Sequence, residues 1–112
     1  MPLTLSILVS AHNEGMLLHS TLNSILKALV DSNIEYEILI GLDTPNSETE
    51  KVVNSLIDQN KIDKYFKLTF KDVSSVRNFL ANKAKYNRCL IWDGDDLMGA
   101  NFFKYLKEFN KK

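Results

Sequence analysis

Short apolar runs alternate with helical patterns along the chain. In four segments the apolar residues are continuous or alternate with polar ones, which predicts four β-strands. These predicted strands cover residues 5–9, 36–42, 65–70 and 89–92. After each strand the apolar residues recur at spacings of three and four, which predicts four amphipathic helices. The helices are predicted from residue 14 to about 30, from 47 to about 59, from 72 or 74 to about 84, and from 100 to about 110.

Polar residues predict where two of these helices begin. Ser47 is followed three residues later by Glu50, which is the form of a capping box. Asp72 or Ser74 can cap the third helix, since both side chains accept hydrogen bonds from free backbone N–H groups. The last helix is predicted to have a Lys-rich outer face and a buried face formed by Phe103, Leu106 and Phe109.

The alternation of strands and helices predicts the fold class. Four β-α units indicate a three-layer α/β/α fold with a mostly parallel sheet, right-handed crossovers and helices on both faces. Ligands of such sheets bind at the carboxyl ends of the strands, near the point where strand order reverses. The polar residues directly after the strands are therefore the candidate functional residues: His12, Asn13, Glu14, Asp43, Asp93, Asp95 and Asp96.

The segment Asp93–Asp96 carries the strongest chemical signal. Its three carboxylates lie within four residues, and they repel one another unless a cation is near. Oxygen ligands suit Mg²⁺ or Mn²⁺, which proteins hold with one or two carboxylates plus substrate phosphates. The alternative is a solvated acidic turn that caps the last helix. The position directly after the apolar residues Leu90, Ile91 and Trp92 favours the metal.

Three further residues have a functional interpretation, and two of them, Asp43 and Arg77, also have a structural one. Asp43 could accept hydrogen bonds from a base or ribose, or form an Asx turn before Pro45. His12 could stack its flat ring on a base or a sugar. Arg77 could bind phosphate through its planar fork, or lie on the surface without a ligand.

Composition limits the possible functions. The chain has 112 residues, the size of one domain, and its 14 basic residues balance its 14 acidic ones. A general nucleic-acid binder normally has a basic excess, so no nucleic-acid partner is expected. The single cysteine fits a reducing compartment, and no apolar run approaches the length of a membrane span. We therefore expect a cytoplasmic protein, with peripheral contact at the inner face of a membrane as an option.

The same segments, taken in order, resemble a known family. They are similar to the N-terminal half of the family 2 glycosyltransferases, which have the GT-A fold. The similarity lies in an opening strand and turn, a second strand that ends in an acidic residue, an Arg-Asn pair on a helix, and a DxD metal motif. These segments are residues 5–14, 37–43, 75–78 and 89–96.

The resemblance implies that residues 1–112 form a nucleotide-sugar-binding domain with a nucleoside-diphosphate sugar as donor, a UDP-sugar above all. His12 would lie on the base, Asp43 would accept a hydrogen bond from it, and Arg77 would lie near the donor. Asp95 and Asp96 would meet a Mn²⁺ or Mg²⁺ ion. The full set implied for donor nucleotide binding is Ala11, His12, Asn13, Glu14, Asp43, Arg77, Asp93 and Asp95.

The sequence also departs from the family pattern. Ser10 and Ala11 stand where the family has Pro, and His12 replaces the usual Tyr. The family's acceptor-binding half and its general-base carboxylate lie beyond the matching segments, so this GT-A-like fold is expected to be truncated. We expect the chain alone to bind nucleotide without transferring sugar to the acceptor, a glycan or a lipid-linked molecule. A partner chain or the missing C-terminal half would restore transfer.

Two other functions stay open at the level of sequence. The first is a catalytically inactive module that binds a nucleotide or a partner. The second is a metal domain of the topoisomerase–primase type, which also has a Glu after its first strand and a DxD after a later one. The neutral net charge and the position of Asp43 argue against the second.

Overall fold

The computed structural model describes residues 3–110, and the side chains as far as residue 108. The predicted burial of Phe109 therefore lies outside the described residues. Four strands alternate with four helices, as the sequence pattern predicts. The elements are β1 Leu3–Ala11, α1 Met16–Leu29, β2 Ile34–Asp43, α2 Ser47–Asp58, β3 Lys64–Leu68, α3 Val73–Lys83, β4 Cys89–Asp93 and α4 Phe102–Asn110.

The four strands form one parallel sheet in the order β3-β2-β1-β4. β1 pairs with β2 from Leu3↔Ile34 to Ala11↔Leu42, and with β4 from Ser6↔Cys89 to Ser10↔Asp93. The chain moves outward from β1 to β2 and β3, and then returns to the other side of β1. Strand order therefore reverses between β1 and β4, which is the position where sheets of this class bind ligands.

The helices cover both faces of the sheet and confirm the three-layer prediction. Successive β1 side chains point to opposite faces. Ile7 and Val9 join the larger apolar cluster, which includes residues of α1, α2 and α4. Leu8 joins the smaller cluster, which contains the α3 residues Val76 and Leu80. A right-handed crossover that returns across the sheet puts α3 on the face opposite the other helices.

Gly41 lets α3 approach the sheet closely. A Cβ atom at this position would lie 2.5 Å from Val76 Cγ1 and 3.1 Å from Leu80 Cδ1. The glycine therefore sets the distance between β2 and α3. Because Gly41 is close to the carboxyl end of β2, it also holds the first turns of α3 near that edge of the sheet.

The cap of one helix differs from the prediction, and α1 and α4 begin at Met16 and Phe102, two residues later than predicted. The cap of α2 is Asn46, whose side chain accepts a hydrogen bond from Thr49 N, so the predicted capping box at Ser47 is wrong. Asn46 is the N-cap because it lies directly before the first helical residue and has an extended backbone conformation. Asp72, one of the two predicted caps, does cap α3.

The ends of other elements shift by a few residues. β1 and β2 are longer than predicted, because their backbone pairing continues from Leu3↔Ile34 to Ala11↔Leu42. β3 ends at Leu68, before the predicted end at Phe70. Within residues 3–110, no helix is both long enough and apolar enough to cross a membrane.

Candidate functional site

The carboxyl ends of β1, β2 and β4 surround a cavity of about 550 Å³. It opens at the switch point of the sheet, on the side covered by α3. Its walls come from the ends of three strands, from the loop between β3 and α3, and from the start of α3. The lining residues are Ser10, Ala11, His12, Glu14, Asp43, Thr44, Lys71, Asp72, Val73, Val76, Asp93 and Asp95.

The turn after β1 holds His12 in one orientation. The ring Nδ1 is bonded to the main-chain oxygen of Asp43, which can only accept, so Nδ1 carries the proton. Nε2 then accepts from Asn13 Nδ2 at 3.1 Å. The amide of Asn13 cannot flip without losing the bond from Asn46 N to its oxygen, 2.9 Å long. His12 and Asp43 therefore line one cavity and are joined by a direct contact.

The carboxylate of Asp43 is almost fully buried, at 8% exposure, and already engaged. It accepts hydrogen bonds from Lys71 N at 3.1 Å, from Asp72 N at 3.2 Å and from Thr44 Oγ1 at 3.2 Å. Two of these three donors are main-chain groups of the loop after β3. Asp43 therefore joins the end of β2 to the start of α3.

The start of α3 is fixed by Asp72. Its carboxylate accepts from Ser74 N and Ser75 N, and from Ser75 Oγ at 2.7 Å. The hydroxyl of Ser75 bonds the charged form, and for this reason the pKa of Asp72 is lowered from its ordinary value. The capped helix then carries Arg77 toward β4.

Arg77 reaches the acidic end of β4. Its Nη2 lies 3.0 Å from Asp93 Oδ1, and Ser10 Oγ donates to the same oxygen at 3.3 Å. The contact of Arg77, in the second turn of α3, is thus an ion pair with the predicted metal segment. Both partners are partly exposed, with 37% and 52% of their side chains accessible, so the pair contributes orientation more than stability.

These contacts close a ring around the cavity. We call it the pocket ring, and it consists of Ser10, His12, Asp43, Asp72, Arg77 and Asp93. It runs from the end of β1 through β2 and α3 to β4, and back to β1. Hydrogen bonds and one ion pair, together with the main chain between them, therefore connect the carboxyl ends of β1, β2 and β4.

The turn Asp93–Asp96 lies against the end of β1. Gly94 N donates to Ser10 O at 2.8 Å, and a Cβ at Gly94 would lie 3.0 Å from that same oxygen. Asp96 N donates to Asp93 O, and Trp92 Nε1 donates to Asp96 O. These bonds fix the main chain of the turn and leave the carboxylates of Asp95 and Asp96 exposed.

The donor chemistry of this turn fits a divalent cation that is shared with a phosphate. Within the described part of the chain, no group of three or more His, Cys, Asp or Glu side chains is arranged to hold a metal ion. Asp95 and Asp96 nevertheless offer exposed carboxylate oxygens. Mg²⁺ and Mn²⁺ commonly bind to one or two carboxylates plus substrate phosphates. Asp95 and Asp96 thus fit a cation whose remaining ligands come from a bound phosphate.

The structure brings together most of the residues predicted from sequence. Ala11, His12, Glu14, Asp43, Asp93 and Asp95 all line the cavity. Asn13, Arg77 and Asp96 do not line it, although Asn13 and Arg77 orient lining residues.

Sequence reasoning missed Thr44, Lys71 and Val73, and it treated Asp72 only as a helix cap. A position directly after a strand is the signal that marks the other candidate residues. The residues after β3 carry the same signal, because the loop that contains Lys71 and Asp72 also lies at the carboxyl edge.

Comparison with protein families decides the classification. A model of the family described as glycosyl transferase family 2 matches residues 6–111, which is nearly the whole chain. The chain belongs to glycosyl transferase family 2. The resemblance drawn from the sequence segments is therefore confirmed. No curated protein matches the chain.

Solved structures confirm the GT-A fold of this family 2 chain. One is S. aureus TarS 1–349, with a TM-score of 0.79 and 21% identity over 99% of this chain and 32% of TarS. The same protein in complex with UDP-GlcNAc gives a TM-score of 0.80, at 21% identity over 99% of this chain and 31% of that one.

A second relative is the mannosyltransferase PcManGT from Pyrobaculum calidifontis, in complex with GDP-Man and Mn²⁺. It has a TM-score of 0.75 and 15% identity over 87% of this chain and 29% of its own. At these identities the similarity shows the fold. The chain spans about a third of the length of the structures it matches.

Proposed function

We propose that the chain is the nucleotide-sugar-binding part of a metal-dependent glycosyltransferase. In this proposal a sugar passes from a nucleoside-diphosphate sugar, UDP-linked, to an acceptor hydroxyl. The observation that carries it is the acid-lined cavity at the switch point of the sheet, in a chain of family 2. The complexes of TarS with UDP-GlcNAc and of PcManGT with GDP-Man and Mn²⁺ support it as properties of those proteins.

The base is proposed to lie at the end of the cavity formed by His12 and Asp43, on the main chain of Ala11. The ring of His12 has hydrogen bonds at both nitrogens and is oriented before a ligand arrives. A side chain that is already ordered loses less entropy on binding. Asn13 supports the ring, and Glu14 supports the turn by accepting from His12 N.

The diphosphate is proposed to lie at the end of the cavity formed by Asp93 and Asp95, with Asp96 beside it. Asp95 and Asp96 would hold Mn²⁺ or Mg²⁺. When bound there, the cation would neutralise negative charge on the diphosphate leaving group. Arg77 neutralises Asp93, which lowers the repulsion between that carboxylate and the phosphates.

The acceptor is proposed to be a glycan or a lipid-linked molecule, which the rest of a longer protein or a partner chain would help to bind. Transfer needs a carboxylate that removes the proton from the acceptor hydroxyl. The predicted cytoplasmic location stays a prediction.

Calorimetry tests the proposal on the 112-residue chain. We expect UDP to bind more tightly with Mn²⁺ than without it, because the diphosphate completes the ligand set. Asp95→Asn is expected to remove most of the gain from Mn²⁺. The matched control is Asp58→Asn, which changes charge equally at the last residue of α2, at the opposite edge of the sheet.

Two outcomes would contradict the proposal in different ways. If no nucleoside diphosphate binds, with or without metal, the proposed nucleotide site is wrong. If UDP binds equally well with and without Mn²⁺, and Asp95→Asn has no effect, the metal assignment is wrong and the nucleotide site stands.

A further inference from the structure

We propose that Thr49 is a positioning residue for nucleotide binding, although it does not line the cavity. Its hydroxyl joins the first turn of α2 to the turn between β1 and α1, and that turn carries His12 and Glu14 into the cavity. The inference rests on the proposed nucleotide site. It adds a residue of α2 that holds the proposed base end of the cavity in shape.

The first argument is the way in which α1 begins. Gly15 is its N-cap, with a φ of 58°, and no side chain caps this helix. Glycine is free to adopt several other backbone conformations, so an outside contact is needed to select this one. Gly15 N donates to Thr49 Oγ1 at 2.9 Å in a buried hydrogen bond. Because a buried N–H without a partner is costly, the hydroxyl of Thr49 selects the observed turn.

The second argument is that the hydroxyl of Thr49 has a fixed direction. The residue is fully buried, at 0% exposure. Its Oγ1 donates to Asn46 Oδ1 at 2.6 Å, so the hydroxyl proton is used there and the oxygen is left to accept from Gly15 N. The same Asn46 Oδ1 also accepts from Thr49 N at 2.9 Å. The acceptor for Gly15 N is therefore oriented by the cap of α2.

The third argument is that α2 holds the turn at a second point. Asn46 N donates to Asn13 Oδ1 at 2.9 Å, and Asn13 Nδ2 lies 3.1 Å from His12 Nε2. The start of α2 is thus bonded to the turn at Asn13 and at Gly15, with Glu14 between them. Loss of the bond at Gly15 leaves the turn attached at one point, and we expect the ring of His12 to lose its single orientation.

A positioning role predicts that affinity and stability respond differently to two substitutions. Thr49→Val keeps the shape of the side chain and removes the hydroxyl, so Gly15 N–H finds a partner only if the turn changes. The apparent affinity then falls with the fraction of molecules that keep the competent turn. Thr49→Ser keeps the hydroxyl and loses a buried methyl group, which lowers stability and leaves the turn unchanged.

Calorimetry of UDP binding to the 112-residue chain tests the inference, with and without Mn²⁺. We expect the Kd of Thr49→Val to rise about tenfold and that of Thr49→Ser to stay within about twofold, although urea denaturation shows a loss of stability for the serine variant. The gain in affinity from Mn²⁺ should be the same in all three proteins, because the cation is proposed to bind at the other end of the cavity. In this respect both variants should differ from Asp95→Asn.

The ring signals of His12 in NMR spectra provide a measurement that needs no nucleotide. The chain has two histidines, and the other one, His19, lies on α1 in contact with Asn23. We expect the His12 signals to shift in Thr49→Val and to keep their positions in Thr49→Ser. The His19 signals should keep their positions in both variants, which makes them an internal reference.

Thr21→Val is the matched control. Thr21 is also a helical threonine with 0% exposure, but its Oγ1 has no hydrogen-bond partner among the described residues. The same substitution there should keep the UDP affinity and the His12 signals. If Thr49→Val does not fold, Asn46→Ala replaces it, because it removes the acceptor that orients the hydroxyl. We expect that variant to raise the Kd about threefold and to shift the His12 signals.

Three results would overturn the inference while the proposed function stands: an unchanged UDP affinity in Thr49→Val, a loss in Thr49→Ser as large as in the valine variant, or His12 signals that do not shift in Thr49→Val. If the unaltered chain binds no UDP, the proposed function fails and a role of Thr49 in binding fails with it. The His12 signals then still show whether Thr49 holds the turn.

Discussion

Most acidic side chains around the cavity are engaged by neighbouring groups. Glu14 accepts from His12 N, Asp72 caps a helix, and Asp93 pairs with Arg77. The carboxylate of Asp43 accepts hydrogen bonds from two main-chain amides of the loop after β3. Asp95 is the lining carboxylate that has no hydrogen bond to another described side chain or main-chain group. The like charges of the cavity are thus partly compensated, and Asp95 stays available to a ligand.

The cap of α3 gives a pH dependence at the scale of one residue. The folded-state pKa of Asp72 lies below its ordinary value because Ser75 bonds the ionised form. Its contribution to stability is therefore present above about pH 4, and it is lost as the pH falls through the folded pKa. We expect Asp72→Ala to lower the midpoint of urea denaturation at pH 7, and the difference to shrink below about pH 4.

Asp72→Asn is the control for that measurement. Asparagine also caps helices well, but it does not titrate. Its advantage over alanine should stay constant between pH 7 and pH 3. A gap between aspartate and alanine that does not change with pH would show that charge plays no part in the cap.

The candidate residues could be predicted because each follows a strand directly, and the edge of a parallel sheet gathers such residues. Their partners could not be predicted. The bond between Ser10 and Asp93 joins residues 83 positions apart, and no local pattern encodes it. Lys71 takes its place through a left-handed conformation that the sequence around it, which lacks glycine, does not indicate.

At the scale of elements, the existence of each helix and strand followed from apolar spacing, because burial of one face determines that spacing. The caps depend on single hydrogen bonds, and two polar residues can compete for one position, as Asn46 and Ser47 do at α2. The sequence predicted helices on both faces without assigning α3 to one of them, and its face follows from the observed strand order. The close approach of α3 to Gly41 could not be predicted, because it depends on contacts between residues far apart in the sequence.

Gly41→Ala tests that approach. The new Cβ would overlap Val76 Cγ1 at 2.5 Å, so α3 must move away from β2 or the side chains must leave their rotamers. We expect a loss of about 2 kcal/mol in the free energy of unfolding, the usual cost of overpacking. Urea denaturation measures it.

Gly99→Ala provides the comparison, since a Cβ there would meet no atom within 4 Å. That variant should change stability by less than about 0.5 kcal/mol. If both substitutions have the same small effect, α3 is not held by close packing at Gly41.

At the scale of the molecule, the candidate site lies next to β4, the last strand on one side of the sheet. Among the described strands, β4 pairs with β1 alone, and Ile91 on this strand has 47% exposure. The chain also spans about a third of the length of its structural relatives. The candidate cavity therefore lies beside a strand that is paired on one side within the described residues.

We expect the 112-residue chain to bind UDP without transferring sugar. Apart from Asp95, which we assign to the cation, each lining carboxylate is engaged by a hydrogen bond or an ion pair. No free carboxylate of the described cavity is left to take the proton of an acceptor hydroxyl.

A radiolabelled sugar-transfer assay measures this, with hydrolysis of the donor as the background. Transfer clearly above that background would identify a base among the engaged residues. Substituting Glu14, Asp43 and Asp93 in turn would then show which one acts.

The central place of β1 in the sheet delays completion of the cavity during protein synthesis. β1 leaves the ribosome first, yet one of its two neighbours is β4, which begins at Cys89. A parallel strand cannot pair until the intervening chain exists, and such distant pairings form slowly. Until then the apolar side chains and free main-chain groups of β1 stay open on the β4 side. Nascent chains that stall before residue 89 should therefore be the species most prone to aggregate and to need chaperones.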